Sequence, residues 1–278
     1  MPKNNKNALN DLDGKDWIKY TVSWFIINPR PRTKQEIMHP AKFPEELVER
    51  FVRFFTKKHQ WVLDPFLGVG STLVACRNLR RNGTGIEINP TFYRIAKKRL
   101  SQRTLSDDVR QDVILGNSLE LDKVLSAYYQ NDIPDFNFSI SSPPYYNMLK
   151  KSRGGSNSTH KERKEKGLNL TYGGHEGNLE NIDSYEEYMD CLVRVYSKVH
   201  EFLKNKSYIV IVVQNMRDVD GKMRLIAWDL AKKLDEIYTL RQEQIWCQAN
   251  KKLGIWGYPT TYVSNVHHHY CLILQKVE

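Results

Sequence analysis

Apolar residues recur along this chain at two spacings, and the alternation between them outlines its architecture. In "HPAKFPEELVERFVRFFTKKHQ" Leu47, Phe51 and Phe54 fall at helical intervals. Pro44 stands at the start of this helix, and two glutamates occupy its first turn, where the helix dipole favours acids. Next come short apolar runs that read as buried strands: "WVL" (61–63), "GTGIEI" (83–88), "DVILGNSLE" (112–120, with a turn), "DFNFSI" (135–140) and "SYIVIVV" (207–213). Amphipathic segments read as helices lie among them. "STLVACRNLRR" is expected to open with a Ser/Thr cap and "PTFYRIAKKRL" with proline in its first turn. "SYEEYMDCLVRVYSKVHEFLK" and "RLIAWDLAKKLDEI" follow later. "YTLRQEQIWCQ" and "HHHYCLILQKV" look like two closing strands. Strand, loop, helix and strand within about 30 residues is the βαβ pattern of a parallel sheet.

Two stretches break the pattern. Residues 1 to about 35 are polar apart from "WIKYTVSWFII" (Trp17 to Ile27), which reads as a strand or a lid packed on the main body. Residues 147–180 are rich in Gly, Ser, Asn and Lys and show no periodicity, as in a long functional or disordered loop. The expected organisation is one α/β domain over 1–278, with an N-terminal cap at 1–35 and a basic loop insertion at 147–180.

Composition narrows the class. The 278 residues are 40% hydrophobic and 27% charged, with no apolar run near the length of a membrane span and no secretory leader. Cys76, Cys191, Cys247 and Cys271 are far apart in sequence, which argues against a zinc site or a disulfide framework and for a cytoplasmic protein. The formal net charge of +10 suggests a polyanionic partner, with nucleic acid foremost. In "HHHY" only His267 and His269 share a strand face, and no carboxylate or cysteine nearby completes a ligand set. No metal is expected there, and the segment reads as a strand near the sheet's edge.

The chemistry concentrates in two places. "DPFLGVGST" (Asp64 to Thr72) follows the first strand and leads directly into a helix. Gly68 and Gly70 allow a tight turn and close approach of backbone to a ligand, and the helix start offers free N–H groups. Glu87, seventeen positions beyond Gly70 at the end of the next strand, is placed to accept hydrogen bonds from ribose hydroxyls. No lysine follows as in a phosphate loop, and Val74 occupies the third position of a GxGxxG pattern. A ribose-bearing cofactor without a pyrophosphate fits these residues. The second place is "SPPY" (Ser142 to Tyr145), at the end of a buried strand that two prolines prevent from continuing.

"DPFLGVGSTLVA", "GIEINPTFYRIAKKRL" and "SSPPYYNM" resemble motifs I, II and IV of the DNA amino-methyltransferases, and "HPAKFPEELVERFV" is similar to the segment called motif X. The resemblance spans about Trp17 to Tyr146; "SYIVIVV" and "HHHYCLILQK" are similar in position to later sheet motifs. It implies a Rossmann-like S-adenosylmethionine-dependent methyltransferase fold, with a mostly parallel seven-stranded sheet and helices on both faces. It implies methyl transfer from S-adenosylmethionine to an exocyclic base amine of double-stranded DNA. The setting implied is a restriction–modification system with a cognate restriction endonuclease, in bacteria or archaea. His39, Pro40, Asp64, Phe66, Gly68, Gly70, Ser71, Thr72 and Glu87 would then bind the cofactor. Asn117 and Ser118 would lie near the adenine ring, Asn117 replacing the family's usual Asp. Thr21, Ser23 and Trp24 would line the same pocket or form a structural cap.

Ser142, Pro143, Pro144 and Tyr145 would be the catalytic motif. An exocyclic amine is a weak nucleophile, so the site must hold it in line and accept hydrogen bonds from its two N–H groups. The Ser142 hydroxyl and the Pro143 carbonyl are the candidate acceptors, and Tyr145 offers a face for an extruded base. C5-cytosine methylation needs a cysteine nucleophile, which in that family follows a proline; none of the four cysteines does. The family tends to carry Ser in the first motif position for N4 of cytosine and Asp for N6 of adenine. Ser142 thus favours cytosine-N4, although a hydroxyl that both donates and accepts also suits adenine. An RNA exocyclic-amine methyltransferase and a non-catalytic DNA-binding partner subunit are the alternatives.

DNA contacts are expected from Lys150, Lys151, Arg153, Lys161, Arg163, Lys164 and Lys166, seven cations against two glutamates, and from Lys251 and Lys252. Trp256, Tyr258 and Tyr262 interleave aromatic rings with the second group.

Overall fold

The computed structural model describes residues 7–31, 43–101, 108–130, 132–146, 179–217, 222–251, 255–256, 259–260, 263–264 and 266–278. Its elements run α1 (Gly14–Tyr20), β1 (Trp24–Ile26), α2 (Glu45–Phe55), β2 (Trp61–Asp64), α3 (Ser71–Asn78), β3 (Asn82–Glu87) and α4 (Pro90–Leu100). Then come β4 (Gln111–Leu115), α5 (Leu121–Tyr129), β5 (Phe136–Ser141), α6 (Tyr185–Phe202) and β6 (Leu203–Val213). A two-stranded ribbon, β7 (Met216–Arg217) with β8 (Met223–Arg224), precedes α7 (Ile226–Leu234). The chain closes with β9 (Thr239–Cys247), a ribbon of β10 (Ile255–Trp256) with β11 (Val263–Ser264), and β12 (His268–Gln275).

One sheet of eight strands organises these elements, in the order β1-β9-β12-β6-β5-β2-β3-β4. Every neighbouring pair is parallel except those made by β12, which runs antiparallel to β6 and β9. Alternation along the central strands divides the core. Ile209, Ile211 and Val213 of β6, with Leu272 and Leu274 of β12, pack beside α6 and α7 residues such as Leu192, Tyr196 and Leu230. Val210, Val212, Cys271 and Ile273 join Leu47, Phe51 and Phe55 of α2 and Cys76 of α3 in a second cluster. Helices thus cover both faces, as a mostly parallel sheet requires. This is the expected Rossmann-like arrangement, with one strand more than seven because β1 adds to the edge of β9.

Three details differ from the sequence reading. A helix forms at α5, where Leu121, Leu125 and Tyr129 recur every fourth residue and are buried. The N-cap of α3 is Gly70, not a Ser or Thr: its left-handed backbone, φ 90°, starts the helix one residue earlier and puts Ser71 and Thr72 inside it. And "HHHY" lies deeper than an edge. β12 has β6 on one side and β9 on the other, with β1 beyond, because the N-terminal segment supplies an outer strand that local pattern cannot place.

The N-terminal segment is fastened by Arg50 of α2. Its guanidinium lies over the Phe25 ring, 4.3 Å from the centroid, and donates to the Tyr20 carbonyl at 3.0 Å. Gln244 donates to the same carbonyl at 2.8 Å, and Trp246 Nε1 to that of Ile27 at 2.8 Å. Replacing Arg50 with methionine keeps the stem's volume but removes the donors and the cation–π contact. We expect a loss of about 2 kcal/mol, with amide exchange rising first across residues 14–27.

Candidate active site

The cofactor loop follows from two glycines and two acids. β2 ends at Asp64, a fully buried carboxylate. It accepts from the Phe66 amide at 2.8 Å and from the Thr72 hydroxyl, so it closes the loop onto the first turn of α3. Gly68 and Gly70 both have left-handed backbone, φ 58° and 90°. At Gly70 a Cβ would come within 3.1 Å of the Ala96 Cβ, so the turn is pressed against α4 and leaves no room for a side chain. The Ser71 hydroxyl is buried at the head of α3 with no hydrogen-bond partner.

Glu87 ends β3, 8% exposed. One of its oxygens accepts from the Gly68 amide at 2.8 Å and the other from the Asn89 amide at 2.7 Å. These backbone donors, with the Ile88 amide, orient the carboxylate, which keeps acceptor capacity for a further donor. Burial pushes Asp64 and Glu87 up to about 7, against the bonds that favour their charged forms, and the charge of Asp64 further raises Glu87. At the end of β4, the Asn117 side chain accepts from the Leu119 amide at 3.0 Å, capping a short turn. The Ser118 hydroxyl donates to the Pro65 carbonyl, tying this turn to the cofactor loop. A ribose-bearing cofactor fits these residues: a close-approach backbone, an oriented buried acid and an unpaired hydroxyl.

Ser142, Pro143, Pro144 and Tyr145 leave the carboxyl end of β5, the strand beside β2. Tyr145 is 6% exposed, 6.4 Å between ring centroids from His269, which stacks on Trp246 at 4.6 Å. Burial raises the Tyr145 hydroxyl to about 12, with the Ser142 hydroxyl as its hydrogen-bonding neighbour. His269 is held to about 3 by burial first and by Lys251 and His268 next, so it stays neutral. Tyr146 packs at 5.4 Å from Tyr188 and 5.5 Å from Tyr185, and its hydroxyl donates to the Asp183 carbonyl.

All four clusters therefore lie at the carboxyl ends of adjacent strands, β5, β2, β3 and β4, where open parallel sheets bind ligands. α6 adds residues that sequence alone did not single out. The Tyr196 hydroxyl is 2.9 Å from that of Ser141, and its ring is 6.2 Å from Phe66, so it spans the two halves of the site. The Tyr188 hydroxyl donates to the Pro144 carbonyl at 2.9 Å. The only sequence signal for either is its place on the buried face of an amphipathic helix.

Other expected residues lie elsewhere. β1 is five strand positions from β2, roughly 24 Å at the usual strand spacing, so Thr21, Ser23 and Trp24 do not line the cofactor loop. Trp24 is 61% exposed at the sheet's edge. Lys251 turns inward, donating to the Val266 carbonyl at 2.9 Å, and burial lowers its ammonium. His39, Pro40, Lys150, Lys151, Arg153, Lys161, Arg163, Lys164, Lys166, Lys252, Tyr258 and Tyr262 lie outside the described residues, as does the Trp256 side chain. Among the described residues, no group of three or more metal-ligating side chains comes together and no helix is long and apolar enough to cross a membrane.

Comparison with known proteins bears on this geometry. Residues 2–98 match the family model for N6/N4-type DNA methylases. The chain is 42% identical over 104 residues to the type II methyltransferase M.HpaI of Haemophilus parainfluenzae, covering 36% of this chain and 31% of that one. It is 37% identical over 78 residues to M.BglII of Bacillus subtilis, covering 28% and 22%. The chain thus spans less than a third of the length of these curated relatives. Among solved structures, TrmN from Thermus thermophilus aligns over 84% of this chain and 48% of its own, at 12% identity and a TM-score of 0.49. Residues 2–98 thus resemble the N6/N4-type DNA methylases, and shorter stretches of the chain resemble type II methyltransferases.

Proposed function

We propose that this protein transfers a methyl group from S-adenosylmethionine to the exocyclic N4 of cytosine in duplex DNA, within a restriction–modification system and in the cytoplasm. The observation that carries this reading is the adjacency of the Asp64–Glu87 loop and the Ser142–Tyr145 loop at neighbouring strand ends, bridged by Tyr196.

The cofactor supplies an electrophilic sulfonium methyl. Glu87 holds the ribose hydroxyls through the lone pairs its backbone donors leave free, and the Gly68–Gly70 backbone brings the loop close. The Ser142 hydroxyl and the Pro143 carbonyl accept from the amine's two N–H groups and hold its nitrogen in line with the methyl carbon. The nitrogen would take the methyl as the methyl–sulfur bond breaks, leaving the cofactor as a neutral thioether, and would give up one proton towards solvent; no covalent enzyme intermediate is needed. Tyr145 is buried, so stacking of an extruded base on it first requires the ring to be uncovered.

The whole of 1–278 would act as one catalytic unit, with 1–35 as a cap. The basic stretch within 147–180 would contact DNA phosphates, and a cognate endonuclease would recognise the same site. The neutral Ser142 hydroxyl supports cytosine; a carboxylate there would favour adenine.

Nucleoside mass spectrometry after incubation with labelled cofactor and unmethylated DNA or RNA tests the assignment. N4-methylcytosine in DNA is expected. N6-methyladenine would overturn the choice of base, and methyl groups found only in RNA would overturn the choice of polymer. Tight DNA binding with no transfer would indicate a partner subunit.

A further inference from the structure

The Ser142–Tyr145 loop must present one carbonyl in a fixed direction, and its torsions can be followed one by one. Pro143 and Pro144 have φ set by their rings. Pro143 also precedes a proline, which confines its ψ to the extended region and so sets the direction of its carbonyl. The one soft torsion left in the pair is ψ of Pro144, and rotation there swings Tyr145 and everything after it. The Tyr188 hydroxyl reaches across from α6 and donates to the Pro144 carbonyl at 2.9 Å. Tyr188 is itself fully buried, with Tyr146 packed at 5.4 Å from it. The Tyr146 hydroxyl is tied to Asp183, just ahead of the same helix. Among the described residues the Pro143 carbonyl has no hydrogen-bond partner, so it stays free to accept one.

We propose that Tyr188 is a positioning residue for methyl transfer: its hydroxyl anchors the stiff Pro143–Pro144 pair to α6 and so holds the Pro143 carbonyl in place for the base amine. The catalytic consequence rests on the function proposed above; the anchoring itself does not.

The test uses Tyr188→Phe, which keeps the ring and removes the donor, with Tyr238→Phe as control. Tyr238 is an equally buried tyrosine whose hydroxyl donates to the Tyr196 carbonyl at 2.8 Å, away from the loop. Both variants should lose similar stability. Only Tyr188→Phe should slow single-turnover transfer, by about 10- to 100-fold, with the Kd for S-adenosylmethionine and the KM for DNA within about twofold of wild type. Transfer within twofold of wild type, or an equal loss in Tyr238→Phe, would overturn the proposal. A second readout needs no activity. Pro followed by Tyr occurs once in the sequence, at 144–145, so ¹³C-carbonyl proline with ¹⁵N-tyrosine labelling gives one amide signal from this peptide. That signal should shift and broaden in Tyr188→Phe and stay put in Tyr238→Phe; an unmoved signal in Tyr188→Phe would also overturn the anchoring. A shifted signal in a protein whose wild type transfers no methyl group would remove the proposed function and leave the anchoring standing.

Discussion

Replacing Glu87 by glutamine should weaken binding of S-adenosylmethionine by about two orders of magnitude while leaving the protein folded, as read by calorimetry and thermal melting. Glutamine offers one acceptor oxygen where glutamate offers two. The Gly68 and Asn89 amides both point at this side chain, so the NH₂ end of the amide must face one of them donor to donor. The variant therefore loses an acceptor for ribose and also disturbs the loop that the cofactor meets. Stability should change little, because the lost backbone bond is offset by no longer burying a charge. The wild-type protein adds a second signature. Glu87 and Asp64 are both raised to about 7, and together they titrate as a coupled pair. Ribose hydroxyls need the ionised carboxylate as acceptor, so affinity should fall as pH drops through about 7. In Glu87→Gln that dependence should flatten. An affinity that is level between about pH 5 and about pH 8 in the wild type would refute this assignment.

Asparagine at position 64 should move stability and transfer in opposite directions. The folded-state pKa of Asp64 lies above the ordinary carboxylate value, so the folded protein favours the protonated acid. Its contribution to stability is fully present below about pH 4 and is lost as pH rises through about 7. Above that, the native state carries a buried charge at a cost on the order of 2 kcal/mol after relaxation. Asparagine is neutral throughout and still accepts from the Phe66 amide. At about pH 8 the melting temperature should rise by about 4–8 °C; at about pH 4 it should not change. Methyl transfer should drop by at least about tenfold, because the loop's charge is gone. A variant that melts below the wild type at pH 8 would show that Asp64 stabilises the loop more than its burial costs.

Local pattern carried much of the architecture, and it anticipated that the candidate residues of the first βαβ unit lie together, because the relevant spacings are short. Asp64, Gly68, Gly70 and Glu87 sit within one βαβ unit, where backbone geometry alone brings the end of β3 beside the loop after β2. The same reasoning fails once the partner is distant. Tyr188 and Tyr196 reach the candidate site from 44 and 55 positions along the chain, and nothing in "SYEEYMDCLVRVYSK" separates a tyrosine that only packs from one whose hydroxyl also bonds to a distant strand end. The Ser/Thr cap expected for α3 failed for a related reason. Gly70 in a left-handed conformation starts the helix itself, and Thr72 is drawn instead to a buried acid whose burial only the folded sheet reveals. Lys251, read as a cation for phosphate, turns inward to the Val266 carbonyl, a partner fifteen positions away that local pattern does not place.

The place of β12 has a consequence for how the chain is made. Residues 268–275 form a strand with β6 on one side and β9 on the other, yet they are synthesised after both. β9, and β1 paired to it, have no other strand through which to join the central sheet. Until residues 268–275 emerge from the exit tunnel, the nascent chain can assemble β4 through β6 with both loops of the candidate site, but the three outer strands wait. During synthesis, then, the exposed edge of β6 is a point where a stalled or truncated chain would present an unpaired apolar strand to chaperones.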